Sequence, residues 1–110
     1  MDEQLVEMII KFRDDRGWKQ YHNPKDLAIS LSLEVAELLE NFQWSSSEEA
    51  LEGKMPNIKE ELADVFIYAV LFAESIDLNV HEIVMKKLNI NSDKYPVEKA
   101  FGKKNKYTEL

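Results

Sequence analysis

Two pairs of acidic residues have the spacing that brings side chains together on a helix. Glu34 and Glu37 are three residues apart, and so are Glu61 and Asp64. Residues at positions i and i+3 lie on one face of an α-helix, about one turn apart. Two such faces opposed in a helical bundle would form a cage of four carboxylates. That cage suits a hard cation with oxygen ligands, above all Mg²⁺, with Mn²⁺ as a substitute. The sequence therefore predicts a metal site made of these four residues.

Acidic pairs at this spacing also occur on solvated helix faces, so the residues around Asp64 matter. Val65–Ala73 is an uninterrupted apolar run. A helix that is apolar on every side is expected to be buried on every side, and buried charges are paired or bound to metal. A di-iron bundle is disfavoured, because such sites place a Glu three residues before a His. Neither His22 nor His81 has one.

Four helices are predicted to position the carboxylates. Each begins at an Asp or Asn that can cap a first turn. The predicted helices run from Asp2 to Asp15, from Asn23 to about Phe42, from Asn57 to about Ile76 and from Asn79 to about Asn89. A short helical turn is expected over 48–52, and an extended tail over 92–110. No stretch alternates with period 2, so the predicted fold class is all-α, a four-helix bundle-like single domain over 1–110.

Composition excludes several other classes of protein. The net charge of −7 argues against a partner that is a nucleic acid polymer. The absence of cysteine excludes disulfides and thiolate metal sites. The longest apolar run is far shorter than the roughly 20 residues of a membrane helix. The acidic start of the chain lacks the layout of a secretory signal, so a cytoplasmic location and no membrane partner are expected.

The carboxylate motifs also carry a family resemblance. The segment Glu34-Val-Ala-Glu37, followed after 23 residues by Glu61-Leu-Ala-Asp64, resembles the ExxE…ExxD motif of the MazG-like nucleotide pyrophosphohydrolases. Segments 34–44, 61–68, 94–97 and 106–108 are similar to the dCTP pyrophosphatase branch of that family. The resemblance implies Mg²⁺-dependent hydrolysis of a (deoxy)nucleoside triphosphate to the monophosphate and pyrophosphate, for nucleotide-pool sanitation. Glu34 or Glu37 is then the candidate to accept the proton of the attacking water, and the sequence leaves open which.

The resemblance also implies which residues hold the nucleotide. They are Trp18, Trp44, Tyr68, Lys87, Asn91 and Lys94. Trp44 lies seven residues after Glu37 and Tyr68 four after Asp64, so each is predicted to extend a metal-binding helix face. The alternative role for each aromatic residue is core packing. Ile9 stands where mammalian members carry a base-contacting His, which leaves the preferred base open.

The predicted partners are the nucleoside triphosphate and further copies of the chain. In so short a chain, burying the third predicted helix on every side requires other copies. A dimer is the minimum, and the resemblance indicates a homotetramer. The alternative function is a non-catalytic helical oligomer that acts as an interaction module, in which the acidic residues are merely solvated.

Overall fold

The computed structural model describes residues 2–110, which form six α-helices and no strands. The helices are α1 (Glu3–Asp15), α2 (Pro24–Glu40), α3 (Ser47–Gly53), α4 (Met55–Ser75), α5 (Val80–Lys94) and α6 (Val97–Ala100). Single turns of 3₁₀-helix cover Trp18–Tyr21 and Tyr107–Glu109. The predicted all-α class is confirmed, and the short helical turn expected over 48–52 lies within α3.

Side-chain caps explain where most of the longer helices begin. The side chains of Asp2, Asn23, Ser46 and Asn79 each accept a hydrogen bond from a backbone N–H three residues further on. Such bonds satisfy donors that the first turn of a helix leaves unpaired. The predicted caps at Asp2, Asn23 and Asn79 are therefore confirmed.

The predicted cap at Asn57 is wrong. α4 begins two residues earlier, at Met55, and Pro56 lies in its first turn. Proline suits that position, since its φ is already helical and the missing N–H would have no partner there. The amide of Ile58 donates to the carbonyl of Lys54 at 3.0 Å, which closes the first turn without a side-chain cap.

The extended tail predicted over 92–110 is also wrong in part. α5 does not end near Asn89 but continues to Lys94, and α6 and a 3₁₀ turn follow it. Tyr95 and Tyr107 pack edge to face with ring centroids 6.0 Å apart, and the Nζ of Lys94 lies 4.8 Å from the Tyr107 centroid. These contacts give local structure to a segment whose Pro, Gly and Lys content indicated none.

The chain divides into two compact units, one ending at Leu78 and one spanning Asn79–Leu110. In the first unit α4 contacts α1, α2 and α3, and its contact with α2 is the most extensive. The buried core there consists of Ile9, Leu27, Val70 and Leu71, with Val6, Ile67, Tyr68 and Phe72 packed against it. Because α2 and α4 carry the two acidic pairs, their packing brings both pairs together. The single domain predicted for residues 1–110 stays a prediction.

The apolar sequence of α4 predicted that this helix is buried on every side. In the single chain it is not. Leu62 and Phe66 are exposed, Phe66 by 52%. Exposed apolar side chains also lie on α1, at Leu5 and Met8. The first unit therefore leaves apolar surface in contact with solvent. Among the helices of residues 2–110, none combines the length and the apolar character needed to cross a membrane.

Candidate metal and nucleotide site

The four predicted carboxylates lie near one another between α2 and α4. The pKa of Glu34 is raised, first by burial and then by a side-chain hydrogen bond with Glu37 and the charge of that residue. The charges of Asp64 and Glu61 raise it further. Coulombic effects fall with distance, so these contributions indicate that both residues of α4 lie within electrostatic range of Glu34. Their role as metal ligands stays a prediction.

One carboxylate oxygen at this site has no hydrogen-bond partner. Glu34 Oε2 is buried, and no donor lies within reach of it. A buried polar atom without a partner is unfavourable, and more so when it carries charge. A proton or a cation would remove that cost. All four residues offer carboxylate oxygens, the ligand type that Mg²⁺ prefers, so the donor set fits this ion.

The side chains are near one another but do not converge on one point. Among residues 2–110, no group of three or more His, Cys, Asp or Glu side chains is arranged so that it could hold a metal ion. Like charges repel, which favours such a separated arrangement. Binding a cation therefore requires the carboxylates to rotate toward one another, within a site whose helices already bring them close.

The burial of Glu34 has a consequence for stability. A carboxyl whose pKa is raised by folding binds its proton more tightly in the folded state, so protonation stabilises the fold. The contribution is complete below the ordinary value of 4.5 and is lost as pH rises through the higher folded value. As pH falls from 7 toward 4.5, protonation of Glu34 should raise the melting temperature of the metal-free protein. Thermal unfolding in EDTA should show a weaker gain for Glu34→Gln than for the wild type. Glu60→Gln, at an exposed position of α4, is the control and should follow the wild type.

Tyr68 packs against the core and lies within electrostatic range of the carboxylates. Burial raises its pKa first, followed by the charges of Glu34, Asp64 and Glu37. Its ring is one of the half-buried groups that pack against the buried core. The core-packing role considered for this residue therefore holds, and its role in binding the nucleotide stays a prediction.

Trp44 occupies an unusual position after the end of α2. It is 93% exposed, so the alternative of core packing is wrong for the single chain. Its φ of 63° lies in the left-handed region, which is unfavourable for a bulky side chain. The predicted helical spacing from Glu37 does not apply, because α2 ends at Glu40 and residues 41–44 form turns. Neither packing nor backbone geometry explains a tryptophan here.

The other four predicted nucleotide-binding residues lie outside α2 and α4, and their role stays a prediction. Trp18 packs edge to face on Phe12, with ring centroids 5.8 Å apart, and lies 6.5 Å from the ring of His22. The remaining three residues, Lys87, Asn91 and Lys94, lie in α5 of the second unit. Their spacing of four and three residues puts them on one helix face.

Asn41 is a residue of this site that the sequence analysis did not identify. Its side chain is buried, and its Nδ2 donates a hydrogen bond to Glu61 Oε2. Asn41 follows Glu37 by four residues, which places it on the same side of the end of α2. That spacing was the one feature of the sequence that indicated a place for Asn41 at this site. Asn is common near helix ends, so the spacing alone is weak evidence.

The fold and the site define an all-α protein with a carboxylate cluster between two packed helices. The chain belongs to the MazG-like family, which it matches over residues 29–110, and the predicted family is confirmed. It is 36% identical to dCTP pyrophosphatase 1 of Homo sapiens and 35% identical to that of Mus musculus, each over 113 residues. These matches cover 98% of this chain and 66% of each relative, so the chain spans about two thirds of their length.

A solved structure is also similar. A pyrophosphatase from Archaeoglobus fulgidus is 47% identical in sequence and superimposes with a TM-score of 0.80. The match covers 86% of this chain and 91% of that chain. The likeness therefore extends through most of the helices described above.

Proposed function

We propose that this chain hydrolyses a (deoxy)nucleoside triphosphate to the monophosphate and pyrophosphate, with Mg²⁺ held by Glu34, Glu37, Glu61 and Asp64. The observation that carries the proposal is the buried, unpartnered Oε2 of Glu34 beside three further carboxylates. The pyrophosphatases among its relatives support the reaction class. Removal of damaged or excess nucleotides from the pool is the role that this reaction would serve.

The reaction requires a bound cation and a residue that accepts the proton of the attacking water. When bound, Mg²⁺ supplies charge neutralisation for the triphosphate and activation of water. Water attacks the α-phosphorus, the bond to the bridging oxygen breaks, and pyrophosphate leaves. Glu34 is our candidate to accept the proton of that water, because its Oε2 is buried and has no hydrogen-bond partner in the protein. The other oxygen of Glu34, together with Glu37, Glu61 and Asp64, would hold the Mg²⁺.

The experiment that tests this function is a panel of nucleoside triphosphates assayed for pyrophosphate release with Mg²⁺, with Mn²⁺ and with EDTA. The names of the curated relatives place dCTP first in that panel. We expect release of pyrophosphate and the monophosphate in equal amounts, and none in EDTA. A folded protein that hydrolyses no nucleotide would favour the non-catalytic interaction module instead.

Trp44 is proposed to stack on the base. Base–aromatic stacking is worth about 1–3 kcal/mol, so we expect Trp44→Gly to lower kcat/KM about tenfold or more. The same change should raise the free energy of unfolding by about 1 kcal/mol, because glycine relieves the left-handed strain. Asp77→Gly is the control, since Asp77 also has a positive φ, of 55°. It should raise stability and leave kcat/KM unchanged. An unfolded Trp44→Gly protein would contradict this role.

We further propose that the chain is a homo-oligomer. Exposed apolar side chains of the first unit support this, and nine of them lie on its three longest helices: Leu5, Met8 and Phe12 on α1, Ile29, Leu33, Val35 and Leu39 on α2, and Leu62 and Phe66 on α4. Covering them would remove apolar surface from water, a main driving force for association. We expect light scattering at micromolar concentration to give a dimer or a tetramer. A stable particle of 12.9 kDa would be a monomer and would contradict the proposal.

A further inference from the structure

Asn41 is one of two buried polar or charged residues in the part of the chain that the structure describes. It is 6% exposed and lies at the end of α2, where the side chain could instead have pointed to solvent. Burying an amide is unfavourable unless its donors and acceptors find partners. The partners of Asn41 therefore indicate what its burial achieves.

The Nδ2 of Asn41 makes three contacts, and every one is to an acceptor. It lies 3.3 Å from the carbonyl oxygen of Glu37 and 3.2 Å from that of Leu38, and it donates to Glu61 Oε2. Because none of these oxygens can donate when Glu61 is ionised, the nitrogen and not the oxygen of the amide must face them. The orientation of the side chain is thus set by its surroundings.

We propose that Asn41 is a positioning residue, which holds the Glu61 carboxylate in the orientation that serves the cation site; this rests on the function proposed above. The bond occupies Oε2 of Glu61 and leaves Oε1 for a cation. It also joins the end of α2 to α4, the two helices that carry the carboxylates. Groups that hydrogen-bond a ligating carboxylate typically change metal affinity by 10–100-fold when they are removed.

A purely structural role would account for two of the three contacts. The carbonyls of Glu37 and Leu38 lie in the last turn of α2, where carbonyls lack regular helical partners, and that of Leu38 also accepts the backbone N–H of Asn41 at 3.3 Å. Capping them needs neither a contact with Glu61 nor burial against α4. The two roles differ in one measurable respect, since only a positioning residue affects the affinity of the protein for a cation.

Asn41→Leu tests the proposal, because leucine has a similar volume and no donor. Mn²⁺ is the probe, and its free concentration is measured by electron paramagnetic resonance in the absence of nucleotide. We expect the Kd for Mn²⁺ to rise about 10–100-fold relative to the wild type. In the nucleotide assay the Mg²⁺ concentration for half-maximal rate should rise by a similar factor, and excess Mg²⁺ should restore most of kcat.

Ser75→Ala is the matched control, since Ser75 Oγ makes a side-chain bond of 2.6 Å to the carbonyl of Phe72 near the end of α4. It should change thermal stability while leaving Mn²⁺ affinity at the wild-type value. Asn41→Ala provides a second variant without the donor, in case the leucine is not accommodated. Loss of melting temperature in both Asn41 variants, with wild-type Kd for Mn²⁺, would overturn the positioning role.

The same measurements separate this inference from the proposed function. Wild-type protein that hydrolyses nucleotides and binds Mn²⁺, with Asn41 variants that bind it equally well, would overturn the role of Asn41 alone. Wild-type protein that binds no Mn²⁺ would overturn both. Mn²⁺ binding that Asn41→Leu weakens, without any nucleotide hydrolysis by the wild type, would support the positioning role and overturn the hydrolase.

Discussion

Glu61→Gln should reduce nucleotide hydrolysis by at least ~100-fold, because the loss of a ligand typically exceeds the 10–100-fold effect of a lost neighbour of that ligand. The metal-free protein should be no less stable for this change. Replacing a carboxylate by an amide of the same shape removes one of four mutually repelling charges. The new side chain also retains an oxygen that can accept the hydrogen bond that Asn41 now donates to Glu61. Pyrophosphate release and urea unfolding in EDTA would measure the two effects separately.

The rise in melting temperature caused by Mg²⁺ is a third measurement on the same variant. A ligand that binds only the folded state stabilises it by mass action, so Mg²⁺ should raise the melting temperature of the wild type. The rise should be smaller for Glu61→Gln. Glu7→Gln, on the exposed side of α1, is the control and should change none of the three readings. If Glu61→Gln destabilised the metal-free fold and spared hydrolysis, Glu61 would be a structural residue.

Local chemistry explains which parts of the fold the sequence predicts well. Asp2, Asn23 and Asn79 cap helices through bonds to backbone groups three residues away. Such bonds depend on residues that are adjacent in the printed sequence, so their pattern is visible there. The start of α4 was misplaced because Asn57 offers the same pattern, while Pro56 allows the helix to begin before it.

Long-range contacts explain what the sequence leaves unpredicted. Asn41 and Glu61 are 20 residues apart, and no periodicity relates an amide at a helix end to a carboxylate on another helix. Trp44 was predicted on a helix face, but the helix ends before it, and its exposure follows from the turns of residues 41–44. The two carboxylate pairs could be recognised in the sequence because each pair lies within one helix. There the spacing alone places both side chains on the same helix face.

Arg13 is a further residue whose role depends on tertiary structure. It is 2% exposed, and its guanidinium forms ion pairs with Asp14 at 2.8 Å and with Glu74, which is 61 residues away. The ion pair with Glu74 joins α1 to the C-terminal end of α4. A buried charge that loses its partner is strongly unfavourable, since the remaining ion keeps the cost of its desolvation.

Glu74→Ala should therefore lower the free energy of unfolding by about 2–3 kcal/mol, less than a fully buried pair would lose, because Asp14 remains bonded to Arg13. Urea unfolding measures the loss. Asp15→Ala is the control, because Asp15 pairs with Lys11 at 2.7 Å on the exposed side of the same helix. Exposed pairs contribute roughly 0–1 kcal/mol, so this change should have little effect.

Replacing both Arg13 and Glu74 by methionine should recover most of the stability, since no buried charge is then left unpaired. Equal losses for Glu74→Ala and Asp15→Ala would show that the buried ion pair contributes no more than an exposed one.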